Sequence, residues 1–245
     1  MTEIAIETRD GVCRSFIYHP QGQGPWPAVL LYMDGPGIRP SVHDVAKRLA
    51  DNGYLVLLPD LFYRSGSYEP IDPKVVFTNP ELRNQHREKF MSVATPERIM
   101  SDTGYFLDYL AGRTDVAPGP IGVTGYCMGG RFALLAAANF PDRIAAAASY
   151  HGGGLVGDGP SSPHRQADKI KAKVYVGGAI EDGNFTDEQK QTLIEALSQA
   201  GVDHKVETYP AKHGWVLSDM PVHDAACAER HWDTLIPLLD GVLKS

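Results

Sequence analysis

The chain has 245 residues, 43% of them hydrophobic and 22% charged, and a formal net charge of −7; these proportions suit one soluble α/β domain spanning residues 1–245. The acidic balance argues against nucleic acid or anionic membrane partners. No apolar run is long enough to span a bilayer, and residues 1–7 lack the pattern of a secretory leader. The three cysteines, Cys13, Cys127 and Cys227, match neither a disulfide framework nor a zinc site, so reduced thiols in the cytoplasm and no metal are expected.

Two alternating runs, residues 4–8 and 12–18, flank Asp10-Gly11 and predict an opening antiparallel hairpin. Residues 27–33 and 54–60 are continuous apolar runs, as expected of strands buried on both faces. Between them Ser41 is placed to cap a helix running through Val45 and Leu49 to Asn52-Gly53. From Leu61 to about Ser92 no periodicity stands out, which predicts a long irregular segment of the kind that forms lids or binding loops. Thr95-Pro96 supplies a cap and a first-turn proline for the next helix. Strands follow at 120–124, 144–150, 173–178 and 204–209, with helices at about 132–138, 187–199 and 223–243. This alternation predicts a mainly parallel central sheet with helices on both faces, and active sites of such sheets lie beyond the carboxyl ends of the strands.

The most informative stretch is Gly125-Tyr126-Cys127-Met128-Gly129, a G-x-C-x-G pattern at a strand-to-helix junction. It reads as the thiol form of a nucleophile elbow, in which small neighbours permit the sharp turn. The first helical turn then stabilises a thiolate, and the Met128 N–H faces a developing oxyanion. The plain alternative is a glycine-rich junction holding an inert buried cysteine. Asp182, after the strand at 173–178, and His213, after the last strand, complete the chain order nucleophile, acid, base. In that reading His213 takes the Cys127 proton and Asp182 orients the imidazole. Glu181 is a weaker rival for the acid, and Asp182 alone could simply be a turn former. His151, His164, His204, His223 and His231 are expected to include ordinary solvated histidines.

The elbow, the segment from Tyr54 to Pro59-Asp60-Leu61-Phe62-Tyr63-Arg64, Ser149-Tyr150-His151-Gly152-Gly153, Ser162-Pro163-His164 and Tyr209-Pro210-Ala211-Lys212-His213-Gly214-Trp215 together resemble the dienelactone hydrolase family. The resemblance implies an α/β-hydrolase fold and a Cys-His-Asp triad that hydrolyses small lactones or esters without a cofactor; separately, a monomer or small homo-oligomer is expected. It also implies that Asp34, where the family usually has Glu, interacts with the nucleophile and helps to form thiolate. The oxyanion hole would fall on the N–H groups of Met128 and Gly35. Arg64, Tyr126, His151 and Trp215 become candidate substrate contacts. One arginine that holds a substrate carboxylate in the family is replaced here by Leu217, and another corresponds to Arg83 or Arg87. Glutamine amidotransferases also place Cys on an elbow, but Arg131 and Trp215 stand where they usually have Gln and an acid. A non-catalytic ligand-binding homologue, or a thioesterase or other acyl-transfer enzyme, is the remaining alternative.

Overall fold

The computed structural model describes residues 1–244. Eight strands form one sheet in the order β1-β2-β4-β3-β5-β6-β7-β8. They are β1 (Thr2–Thr8), β2 (Gly11–Tyr18), β3 (Ala28–Tyr32), β4 (Leu55–Pro59), β5 (Ile121–Tyr126), β6 (Ile144–Tyr150), β7 (Lys173–Ala179) and β8 (His204–Tyr209). β1 and β2 pair antiparallel, as the Asp-Gly hairpin predicts, and β2 joins β4 antiparallel. All pairings from β4 across to β8 are parallel. Every residue of β3, β4 and β5 is buried, which explains the unbroken apolar character of β3 and β4.

The principal helices are α1 (Pro40–Asp51), α2 (Pro73–Val76), α3 (Pro80–Lys89), α4 (Pro96–Ala111), α5 (Met128–Asn139), α6 (Asp187–Gln199) and α7 (Ala225–Leu243). Space at Gly122 is filled by Leu239 of α7, next to Val29 of β3. Tyr32, three residues further along β3, hydrogen-bonds Thr103 of α4 at 2.7 Å. Strand side chains alternate, so α7 and α4 cover opposite faces of the sheet.

Thr95 accepts from the Arg98 N–H and Thr186 forms a capping box with Gln189, so both helices start where their sequences indicate. Two expectations require correction. α1 is capped by Arg39 with Pro40 in its first turn, and Ser41 lies inside it, buried. The segment predicted to be irregular carries α2 and α3, each started by a side-chain cap (Asp72 and Asn79) followed by proline. α3 buries only His86, so it has no apolar stripe to announce it.

Candidate active site

Parallel strands end on one side of the sheet, and the loops after β3, β5, β6, β7 and β8 carry Asp34, Cys127, His151, Asp182 and His213. Cys127 caps α5 with φ +54° and ψ −117°, a conformation an L-residue holds only when its surroundings enforce it. Its N–H donates to Tyr150 O at 3.1 Å, while its carbonyl accepts from Gly130 and Gly153 at 3.1 and 3.3 Å. The flanking glycines are required by contact. A Cβ at Gly125 would lie 2.2 Å from Gly129 O, and one at Gly129 would lie 2.4 Å from Met33 O.

Asp182 follows β7 behind Glu181, whose φ of +50° turns the chain. Its Oδ1 accepts from the Asn184 N–H at 2.9 Å and from Asn184 Nδ2 at 3.1 Å. Its Oδ2 lies 2.8 Å from His213 Nδ1. Burial favours the neutral carboxyl, but the bonds from His213 and Asn184 outweigh it and hold Asp182 below the usual carboxylate range. Burial likewise disfavours a charged His213. Asp182 and Cys127 reverse that and raise the imidazole to about 10. His213 is thus an imidazole held by a buried carboxylate and bordering the same cavities as Cys127.

Met128 is the first residue of α5, so its N–H has no partner within the helix. The peptide unit carrying the Gly35 N–H is fixed through its other end, where Asp34 O accepts from Gly37 N at 3.1 Å. Gly35 O lies 2.7 Å from His86 Nε2. The Asp34 carboxylate is committed elsewhere than expected. It takes two bonds from Arg39, from Nη1 at 2.5 Å and Nη2 at 3.0 Å, and Arg39 also binds Asp219 from Nε at 2.7 Å and Nη2 at 3.0 Å. The Arg39 and Asp34 side chains are 1% and 3% exposed. This bridge ties the β3 loop to the loop carrying His213. It was not anticipated, since Arg39 stands in a Pro/Gly loop with no recognisable spacing to Asp219.

Two cavities meet at Cys127 and His213. One of about 770 Å³ is lined by Asp34, Arg83, His86, Arg87, His151 and Asn184, among others. The other, of about 470 Å³, is lined by Met128, Arg131, Phe132, Gly154 and Asn184, among others. Both Arg83 and Arg87 therefore border the cleft that Cys127 lines. His151 also faces it, held at φ +39° with its ring 5.2 Å from that of His213. It is fully buried, and neither ring nitrogen has a hydrogen-bond partner. Burial, then the neighbouring histidines His213 and His231, keeps it neutral.

Four expected contacts fall outside the cleft. Tyr126 is buried beneath it, its hydroxyl 2.8 Å from His231 Nε2. Trp215 is buried and stacks on Tyr209. Leu217 is 1% exposed, so its side chain belongs to the core. Arg64 pairs with Asp10 and Asp102, both at 2.7 Å, with its guanidinium over the Tyr63 ring. Tyr126 belongs to the fully buried β5, and the segment after His213 packs Trp215 and Leu217 into the core.

The family model described as the dienelactone hydrolase family matches residues 13–243. A Yersinia pestis protein named "putative carboxymethylenebutenolidase" is 30% identical over 241 residues, covering 96% of this chain and 85% of the relative. A protein of the same name from Synechocystis sp. is 25% identical over 249 residues, covering 99% and 97%. Among solved structures, a "putative dienelactone hydrolase" of Klebsiella pneumoniae superposes with a TM-score of 0.84 at 22% identity, over 97% of both chains. The eight-stranded sheet with its elbow after β5 is thus the α/β-hydrolase fold, and the chain belongs to the dienelactone hydrolase family.

Proposed function

We propose that the protein hydrolyses small lactones or carboxylic esters through a thioester on Cys127. The observation that carries this reading is the hydrogen bond between His213 Nδ1 and Asp182 Oδ2, in a cleft that His213 and Cys127 line together. Family membership supports the hydrolase class.

In this mechanism the Cys127 proton passes to His213 and Sγ attacks the acyl carbon. The carbonyl oxygen becomes an oxyanion held by the Met128 and Gly35 N–H groups. Collapse breaks the carbon–oxygen bond, and His213 returns the proton to the leaving alkoxide. Water deprotonated by His213 then attacks the thioester carbon, releasing the acid and the Cys127 sulfur. Asp182 holds the imidazole tautomer and supports the imidazolium in both halves. Asp34 takes no direct part, because its carboxylate is occupied by Arg39.

The test is intact-protein mass spectrometry during turnover of p-nitrophenyl acetate. An acyl adduct on Cys127, absent from Cys127→Ala together with turnover, is expected. Turnover retained in Cys127→Ala would exclude the thioester route, and a wild type that binds but never acylates would indicate a non-catalytic homologue.

A further inference from the structure

Arg131 lies four residues after Cys127 on α5, about one turn round and about 6 Å along the axis. Both side chains line the cavity of about 470 Å³. Arg39, Arg48, Arg64, Arg113, Arg143 and Arg230 each hold a carboxylate. Arg131 forms no ion pair among the described residues. Its one hydrogen bond runs from Nη2 to Ser161 O at 3.2 Å, and its buried Nε has no partner. The neighbouring carboxylate of Glu97, which acts on Arg131 through charge alone, accepts instead from Ser161 Oγ at 2.7 Å. Burial lowers the guanidinium's affinity for its proton. A partly desolvated cation with most of its donor fork unused is costly unless an anion completes it.

The two cavities differ in a way that assigns the anion's position. Met128, whose N–H would hold the acyl oxygen, lines only the cavity that Arg131 lines, whereas Arg83 and Arg87 line the other. The acyl group stays bonded to Sγ with its oxygen on Met128 after the alcohol has left. We infer that Arg131 anchors an anionic terminus on the acyl chain of the substrate, a carboxylate or phosphonate about one helical turn from the scissile carbonyl. This inference rests on Cys127 acylation as proposed above.

The experiment compares kcat/KM for p-nitrophenyl hydrogen glutarate with that for its methyl ester, in wild type, Arg131→Gln, Arg131→Lys and the double variant Arg83→Gln/Arg87→Gln. p-Nitrophenyl 4-phosphonobutyrate distinguishes a phosphonate from a carboxylate preference. Wild type is expected to favour one of the anionic esters over the methyl ester by roughly ten- to a hundredfold, the range of a charge-assisted bond. Arg131→Gln collapses that ratio, Arg131→Lys restores part of it, and the double variant leaves it in place. A purely structural strut to Ser161 would lower turnover of anionic and neutral esters alike and leave the ratio unchanged, which overturns the proposal. So does a ratio that only the double variant abolishes. If no ester acylates Cys127 in wild type, the hydrolytic reading itself fails. If all esters acylate it and Arg131→Gln changes no ratio, only this inference does.

Discussion

The Asp182–His213 pair makes the sharpest demand at the scale of single residues. Asp182 and Cys127 raise His213 to about 10 against the opposing effect of burial. Asp182→Asn removes the carboxylate while keeping the shape, so the imidazole titration is expected to move down toward its ordinary range near 6.5. Acylation should slow by about 10³–10⁴-fold, since both tautomer and imidazolium support are lost. NMR titration of the ring protons with single-turnover kinetics checks both. Glu181→Gln should change neither, because Glu181 is exposed and forms the turn through its backbone. An unmoved His213 titration in Asp182→Asn would place the acid elsewhere.

The elbow between β5 and α5 is built on contact distances that leave no room for a side chain. Gly125→Ala forces a carbon to 2.2 Å from Gly129 O, and backbone cannot yield as a flexible side chain would. We expect a loss of about 3 kcal/mol or more in denaturant unfolding, or no folded protein. Gly183→Ala, with nothing within 4 Å of the added carbon, should be neutral or stabilise by about 0.4–1 kcal/mol. The same contrast explains what the sequence reveals. The elbow, the capped helices α4 and α6 and the buried strands are legible because steric need, capping chemistry and burial each restrict residue choice locally. α3 is not, since Pro80–Lys89 meets solvent on nearly every side and its start signal, Asn79-Pro80, reads equally as a turn. Arg39, Asp219 and Arg131 escape notice because their meaning lies in partners far along the chain or in the lack of them. Tyr126 and Trp215 are candidate substrate contacts in the sequence, whereas packing turns both into the core.

Two buried polar groups govern the behaviour of the whole molecule. Arg39 joins the loops after β3 and β8 through Asp34 and Asp219. Arg39→Met leaves Asp34 buried without its counter-charge and should cost about 3–5 kcal/mol, read as a lower unfolding midpoint. His231 is fully buried against Tyr126, and burial brings its pKa down to about 3. The unfolded chain protonates this imidazole near 6.5 and the folded chain does not. The stabilisation is therefore complete above about 6.5 and is lost as pH falls toward 3. It amounts to about 3–5 kcal/mol at most from this group. His231→Gln should flatten the dependence of the unfolding midpoint between pH 7 and 4, and an equally steep dependence in that variant would assign the acid sensitivity to other groups.

The three thiols occupy very different surroundings. Cys13 is completely enclosed in β2, and burial pushes it up to about 12. Cys227 is buried at the start of α7, and burial followed by Asp224 pushes it up as well. Cys127 lines two open cavities. A small alkylating reagent such as iodoacetamide should accordingly incorporate one equivalent per chain under native conditions and three after unfolding. Inactivation should track the first equivalent, so the native protein can be labelled at one chosen atom, and competent centres counted, without prior removal of any cysteine.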